Sequence, residues 1–158
     1  MEPKIKTFPE TKFIGMNSQF SYSDYRIGEL WSNFMPRRNE IQNTIGIELF
    51  NIQINPDNFD FNPQTEFVKW AVVPVSDIDF VPEGMQLLIV EEGLYAVFNH
   101  VGDASKAREI FGYIFGVWLP NSEYEFDNRP QFEILGEKYK SNSPDSEEEI
   151  WIPIKKTI

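Results

Sequence analysis

The pattern of apolar and polar positions repeats once along the chain. Apolar residues recur at helical spacing over residues 27–34, and this stripe ends at Pro36; a second stripe over residues 111–118 ends at Pro120. Proline lacks the backbone N–H that a continuing α-helix needs and clashes with the preceding turn. The spacing therefore predicts two short helices in corresponding places, the first over about residues 24–35.

Each predicted helix is flanked by apolar runs short enough to be strands. One run precedes each helix and two follow it: residues 12–15, 45–50 and 67–75 around the first, and 95–98, 132–135 and 150–154 around the second. The repeat predicts an α+β fold of two strand-helix-strand-strand units with pseudo-two-fold symmetry, an antiparallel sheet and helices packed against it. Since neither unit can bury a sheet face alone, the units should pair and leave a central ligand cleft.

The length and the turn-forming residues set the boundaries of this plan. The chain has 158 residues, the size of one domain, with unit one at about 1–78 and unit two at about 85–158. Ser23 or Asp24 is expected to cap the first helix, because a short oxygen side chain accepts a free backbone N–H there. Asn, Asp and Pro are dense over residues 51–64, which predicts an exposed connection between two strands.

Glycines inside two predicted elements carry information about packing. Gly15 lies within an extended stretch and is expected at a bulge or a close approach of another backbone. Gly112 and Gly116 lie four residues apart in the second helix, where each costs about 1 kcal/mol relative to alanine. Either the helix approaches the sheet closely there, or the glycines are simply tolerated.

The composition excludes several kinds of chemistry. The chain has no cysteine and a single histidine, His100. Disulfides, thiol nucleophiles and zinc-thiolate or iron-sulfur sites are therefore excluded, and one histidine cannot build a multi-histidine metal centre. We expect no metal and no cofactor.

The charge and the aromatic content bear on partners. Lys and Arg total 14 against 25 Asp and Glu, a formal net charge of -11, which repels phosphate backbones and predicts no direct nucleic-acid binding. No apolar stretch approaches the roughly 18 residues needed to span a bilayer, and no signal peptide is recognisable, so a cytoplasmic location is expected. Aromatic residues make up 15% of the chain and either fill a core or line a pocket for flat and cationic ligands.

Four ordered motifs in the second half resemble a known family. They are Glu-Gly-Leu-Tyr-Ala-Val-Phe-Asn-His-Val-Gly at 92–102, Trp-Leu-Pro-Asn-Ser-Glu-Tyr-Glu at 118–125, Pro-Gln-Phe-Glu at 130–133 and Glu-Ile-Trp-Ile-Pro-Ile at 149–154. In this order they resemble the GyrI-like small-molecule-binding family, which includes the effector-binding domains of some bacterial transcription activators. The first half matches that family in plan only.

The resemblance implies a function and one site residue. It implies an aromatic cleft between the paired units that binds bulky, often cationic, lipophilic molecules, and it places the family's characteristic carboxylate on Glu133. Two departures stand out. Glu123 occupies a position where glycine is usual before Tyr124, and the two units consume the whole chain without a helix-turn-helix region, so we expect no operator binding.

The residues around Glu133 support its candidacy independently. It lies between Phe132 and Ile134, so its side chain faces one side of the sheet and theirs the other. If that side is the cleft, the partly desolvated carboxylate attracts a cation. The alternatives are a solvated surface acid and a structural partner for Arg129 or Lys138.

Aromatic side chains are the other predicted ligand contacts. Trp70 and Trp151 occupy corresponding strands of the two units and could sandwich a planar or quaternary ligand, with core packing as the alternative. Tyr95 and Tyr113 suit a pocket rim or an anchor between helix and sheet. Glu48 is either a second cleft carboxylate or a plain surface acid. The predicted ligand-binding set is Glu133, Trp151, Trp70, Tyr95, Tyr113 and Leu135.

Three functions are compatible with these features. The favoured one is a stand-alone binding protein for bulky amphipathic aromatic or cationic small molecules, serving sequestration or effector sensing, with Glu133 as counter-charge. The second, implied by relatives of similar fold, is hydrolysis of strained cyclopropane-bearing alkylating natural products, with Glu133 as general base. The third is an acidic interaction module of the gyrase-inhibitor type that docks on a basic protein partner, which the net charge of -11 suits as well as it suits solubility.

Overall fold

The two halves of the fold share one arrangement, in which two consecutive strands precede a helix and two strands follow it; the second half adds one short strand. The computed structural model describes residues 2–103, 106–136 and 146–158. In the first half the elements are β1 (Lys4–Phe8), β2 (Thr11–Phe20), α1 (Ile27–Phe34), β3 (Leu49–Ile54) and β4 (Phe67–Val75). In the second half they are β5 (Gln86–Val90), β6 (Gly93–Val101), α2 (Ala107–Tyr113), β7 (Tyr124–Phe126), β8 (Gln131–Leu135) and β9 (Glu147–Lys156). The predicted α+β fold is confirmed.

The sheet closes back on itself. The strand order is β1-β6-β9-β8-β3-β4-β2-β5, with β7 added beside β9, and every strand pair described is antiparallel. At the ends of this order, Thr11 of β2 pairs with Val90 of β5 and Phe8 of β1 pairs with Gly93 of β6. Because β2 follows β1 directly and β6 follows β5 directly, the segment β1–β2 pairs along its length with the segment β5–β6. This pairing joins the two ends of the strand order. The β3·β8 pair joins the two halves in the centre.

The two faces of the closed sheet have different coverings. One face encloses an aromatic interior made of Phe8, Phe13, Phe50, Ile52, Trp70, Val72, Val90, Tyr95, Val97, Phe132, Ile134 and Trp151. The other face carries the helices. Helix α1 packs Leu30 and Phe34 against β2 and β4, and α2 packs Ile110 against β6 and β9. Burial of these apolar stripes, more than helix propensity, stabilises helices of this length.

The helix ends differ from the prediction. Helix α1 begins at Ile27, and Arg26 precedes it without a side-chain cap, so neither Ser23 nor Asp24 caps it. After α1 the chain does not stop at Pro36 but continues as a 3₁₀ helix, Met35–Glu40, because proline is tolerated in a first helical turn. Helix α2 similarly continues into a π-helical turn, Ile114–Trp118. No helix among the described residues is long and apolar enough to cross a membrane.

The largest difference from the prediction concerns the position of the third strand, β3. Residues 51–64 were expected as an exposed connection, but β3 extends to Ile54, and Asn51 and Gln53 are buried. The predicted start of this strand, residues 45–48, lies outside β3 and is exposed. In the second half, the sequence predicts a strand over residues 131–139 and a loop over residues 140–148. Residues 137–145 lie outside the described residues, and residues 147–148 belong to β9 instead of a loop.

The glycines divide into two kinds. A Cβ at Gly15 would lie 2.0 Å from the carbonyl oxygen of Ala71, so the close approach predicted for Gly15 is confirmed. At Gly112 and Gly116 nothing lies within 4 Å of such a Cβ. These two glycines are tolerated on an open helix surface and mark no close contact with the sheet.

Candidate ligand-binding cleft

A polar patch lies on the helix-bearing face of the sheet, between α1 and α2. Asn51 of β3 pairs with Glu133 of β8, and Gln53 pairs with Gln131 of β8 and Lys69 of β4. Partners in an antiparallel ladder share a face of the sheet. These five side chains therefore form one surface, which we call the cleft floor.

Apolar side chains border the cleft floor on the side of the second unit. Ile150 of β9 pairs with Glu133, and Ile150 and Phe111 of α2 line the same cavity as Lys69 and Glu133. The volume of this cavity is about 10 Å³, which is about what one water molecule requires. The structure therefore shows the cleft closed, and a bulky ligand needs surrounding side chains to move.

Glu148 is the second carboxyl group of the cleft. It precedes Ile150 by two residues on β9, so it lies on the face that carries Glu133. Its burial and the neighbouring Glu133, to which it is hydrogen-bonded, raise the pKa of Glu148 to about 9, although Lys69 acts in the opposite direction. The two carboxyl groups therefore share one proton at neutral pH through this hydrogen bond.

Lys69 is a buried lysine on the same floor. Its side chain is 4% exposed, and its Nζ lies 5.9 Å from the centroid of the Tyr25 ring. Burial lowers the pKa of Lys69, and Glu133, Tyr22 and Glu148 partly offset that effect. No carboxylate among the described residues forms an ion pair within 4 Å of Lys69.

Two tyrosines from the segment before α1 lie over this end of the floor. The ring of Tyr25 is 43% exposed, but burial of its hydroxyl and the nearby Glu133 and Glu148 raise its pKa, so it stays a neutral phenol. The Nε2 of Gln53 donates to the Tyr22 hydroxyl oxygen at 2.9 Å. The first unit thus supplies aromatic surface with polar ends directed at the floor.

Two acceptors of the floor have no hydrogen-bond donor within the described part of the chain. The amide oxygens of Asn51 and Gln131 are buried and accept no hydrogen bond from any described residue. Buried polar atoms in folded proteins nearly always have a partner. An N–H or O–H group that entered the cavity would find these two oxygens, Asn51 Oδ1 and Gln131 Oε1, ready to accept.

A row of aromatic rings, the aromatic bridge, joins the two units beside the cleft. Phe59 contacts Tyr22, with ring centroids 6.5 Å apart, and Phe61, at 4.8 Å. Phe61 contacts Phe115 and Phe126 of the second unit at 5.9 and 5.8 Å. The bridge is made of Tyr22, Phe59, Phe61, Phe115 and Phe126. It therefore spans from the Tyr22 side of the floor to the chain that continues α2.

The structure places only part of the predicted ligand-binding set on the cleft side. Glu133 lies on the floor, and Leu135, two residues further along β8, shares its face. Tyr113 packs with the apolar cluster beneath α2. Glu133 is also no partner of Arg129, which pairs with Asp127 instead. The other proposed partner, Lys138, lies outside the described residues.

The remaining three predicted contacts point the other way. Trp70, Trp151 and Tyr95 belong to the aromatic interior, because strand residues alternate and Ile150, not Trp151, shares the face of Glu133. Trp151 borders the cavity, but its ring stacks on Phe132 in the interior, with ring centroids 5.4 Å apart. The two indoles therefore lie on the face of the sheet opposite Glu133. Their role as ligand contacts stays a prediction.

The sequence contained signals for the residues that were missed. Lys69 is the one charged residue in the apolar run 67–75. Glu148 lies two residues before Ile150, so the two side chains point to the same face of a strand. Asn51 and Gln53 alternate with apolar neighbours, as strand residues do. By contrast, Glu48, considered as a second cleft carboxylate, is exposed. The second carboxyl group is Glu148.

A duplicated α+β fold with a polar floor and aromatic walls between its two helices defines a small-molecule-binding domain. Comparison with protein families agrees: the model of the GyrI-like small molecule binding domain matches residues 1–155. The chain therefore belongs to the GyrI-like family.

Individual relatives extend the comparison. The transcriptional regulator BrlR of Pseudomonas aeruginosa is 30% identical over 156 residues, 98% of this chain and 56% of BrlR, so the chain spans about half the length of this relative. The structure of SAV2435 bound to tetraphenylphosphonium has a TM-score of 0.73 at 15% identity, covering 98% of this chain and 94% of that one. EcmrR in its DNA complex has a TM-score of 0.74 at 14% identity, covering 99% of this chain and 58% of that one. At these identities the solved structures show the fold alone.

Proposed function

We propose that this chain is a cytoplasmic binding protein for bulky, amphipathic aromatic or cationic small molecules, which it takes up between α1 and α2. The observation that carries the proposal is the pair of carboxyl groups, Glu133 and Glu148, on a largely buried floor. Removal from water strengthens the attraction between a carboxylate and a cation several-fold. Glu133 then serves as the counter-charge, and binding alone allows sequestration or effector sensing.

The surroundings of the carboxyl pair favour an aromatic ligand. Tyr25 and Phe111 present ring surface on opposite sides of the floor, and aromatic faces attract both flat rings and cations. Tetraphenylphosphonium, the ligand of SAV2435, is a bulky aromatic cation and thus a suitable probe. The net charge of -11 also favours cations over phosphate-bearing partners.

The test measures tetraphenylphosphonium binding by calorimetry and by thermal shift. Wild-type protein should bind the cation and gain melting temperature, and Glu133→Gln should weaken binding about tenfold or more through loss of the counter-charge, which equals about 1.4 kcal/mol. Glu48→Gln is the matched control, because it makes the same change on an exposed strand-flanking position. Equal affinity in both variants would remove Glu133 from the site.

A second candidate function is hydrolysis, and the carboxyl pair is the observation that favours it. Glu148 as a proton donor beside the Glu133 carboxylate is the acid and base combination that hydrolases use. In this function Glu133 activates water against a strained, cyclopropane-bearing alkylator. Repeated turnover, lost in Glu133→Gln, is required; binding of one equivalent without product would reject the hydrolase.

A further inference from the structure

Lys69 occupies the place in the cleft where a cationic ligand is proposed to bind. It lines the same cavity as Glu133 and its side chain is 4% exposed. We propose that the Lys69 ammonium is the resident cation of the closed cleft and determines the charge of the ligand that the cleft accepts. A cationic ligand binds in exchange for one proton of Lys69. This inference rests on the proposed function and adds a specificity-determining residue to it.

A buried lysine at this position requires an explanation. Transfer of an ammonium group out of water is costly unless charged or polar partners compensate. The neighbours of Lys69 on β4 are Trp70 and Val68, and the strand is otherwise apolar. An apolar residue of similar length would therefore fit the strand better. The carboxyl groups across the floor are what makes an ammonium tolerable here.

The groups around Lys69 come from every element that borders the cavity. The titratable ones are two acids and two phenols, and the uncharged ones are amides and a phenyl ring. The titratable groups are Glu133 of β8, Glu148 of β9, and Tyr22 and Tyr25 before α1; the uncharged groups are Asn51 and Gln53 of β3, Gln131 of β8 and Phe111 of α2.

The charge balance of the floor explains the exchange. We take the closed cleft to hold one positive charge on Lys69 and one negative charge on the Glu133–Glu148 pair, whose carboxyl groups share one proton. A cationic ligand would bring the sum to plus one in a poorly solvated place. Release of one proton from Lys69 to solvent restores neutrality, leaves the amine neutral and breaks no other bond. Burial already lowers the pKa of Lys69, so this proton is the easily lost one.

Two substitutions change the Lys69 charge in opposite ways. Lys69→Met removes the ammonium and keeps the length of the side chain. Lys69→Arg fixes a positive charge, because the guanidinium does not lose its proton in proteins. If Lys69 had only a structural role, both variants should bind a cationic ligand more weakly than wild type. If Lys69 is the resident cation, Lys69→Met should bind it more tightly and Lys69→Arg more weakly.

The probes are two ions of the same shape and opposite charge, tetraphenylphosphonium and tetraphenylborate. At pH 7 we expect Lys69→Met to bind tetraphenylphosphonium about tenfold more tightly than wild type, and Lys69→Arg about tenfold more weakly. Tetraphenylborate affinity should move in the opposite direction in each variant. Lys156→Met, which removes an exposed lysine, is the matched control and should change neither affinity.

Proton release gives an independent readout. Calorimetry in buffers of different ionisation enthalpy counts the protons set free when tetraphenylphosphonium binds. Wild type should release a proton that Lys69→Met does not, and the wild-type affinity for the cation should rise with pH. Release that is identical in the two proteins would assign the proton to Glu148 and overturn the role of Lys69.

The outcomes separate this inference from the proposed function. If tetraphenylphosphonium binding depends on Glu133 but Lys69→Met and Lys69→Arg shift it in the same direction or leave it unchanged, the inference is wrong and the proposed function stands. If no variant binds either ion, both fall. Binding only after Lys69→Met supports the inference. Melting temperatures check folding, and Lys69→Gln replaces the Met variant if that one does not fold.

Discussion

Replacement of Gly15 by alanine should destabilise the fold strongly, because β2 and β4 approach each other closely at this point. A Cβ at Gly15 would lie 2.0 Å from the carbonyl oxygen of Ala71 and 2.8 Å from both Cα and Cγ1 of Val72. Non-bonded heavy atoms are most stable at separations of about 3.5–4.0 Å. Two of these three contacts are with backbone atoms of β4, which is also paired with β3 on its other side and cannot yield locally.

The expected loss can be given a size. Overpacking in a core costs about 1–3 kcal/mol when side chains can adjust. At Gly15 backbone must move, so about 3 kcal/mol or more is expected. For a domain near this length, each kcal/mol lowers the melting temperature by about 2–4 °C. Gly15→Ala should therefore lower it by about 6–12 °C, measured by circular dichroism or calorimetry.

Gly112→Ala is the matched control with the opposite sign. Gly112 lies in α2, where a Cβ would have no other atom within 4 Å, and alanine is favoured over glycine in a helix by about 0.5–1 kcal/mol. It should raise the melting temperature by about 1–4 °C. A Gly15→Ala protein as stable as wild type, or two variants shifted in the same direction, would refute the packing argument.

Three further predictions concern the cleft and the interior. The raised pKa of Glu148, about 9, means that the folded chain holds this proton more tightly than the unfolded chain does, so stability falls as pH rises from about 4.5 to about 9. Over this pH range, the free energy of unfolding measured in urea should fall by about 1–3 kcal/mol less in Glu148→Gln than in wild type. An equal fall in the two proteins would contradict this. Phe61→Ala, which opens the aromatic bridge, should speed tetraphenylphosphonium association in stopped-flow experiments roughly three- to tenfold; an unchanged rate would place ligand entry elsewhere. Trp151→Phe should cost about 1–2 kcal/mol of stability in urea unfolding through lost packing on Phe132, and a stability equal to that of wild type would contradict this interior contact.

The repeat could be predicted from the sequence because its signal is local. Each helix shows its apolar stripe within eight residues or fewer, and most residues of the strands β4 and β6 are apolar. Closure of the sheet could not be predicted in this way. It depends on β1 pairing with β6 and β2 with β5, contacts between residues about 70–95 positions apart that leave no periodic mark in either segment.

The cleft floor shows why a site can be missed in a correctly predicted fold. Asn51 and Gln53 lie at the start of a stretch rich in turn-forming residues, and asparagine favours turns when nothing else pairs with it. Here the β8 strand pairs with them, and tertiary context overrides local preference. The local sequence likewise places Glu148 at the end of an acidic surface loop. Its neighbours in sequence are charged, and only pairing across the sheet shows that it is half-buried.

The aromatic richness of the chain has a different consequence from the one first expected. Seven aromatic side chains lie in the interior of the closed sheet, and a further five form the aromatic bridge between the two units. An aromatic ring pair contributes about 0.5–1.5 kcal/mol beyond its buried area, so separating Phe61 from Phe115 and Phe126 costs about 1–3 kcal/mol. A micromolar dissociation constant corresponds to about 8 kcal/mol of net binding free energy, so the contacts of such a ligand must supply this amount and the cost of opening as well. The closed cavity is therefore compatible with a binding site, and we expect the polar floor, more than the aromatic bridge, to discriminate between ligands.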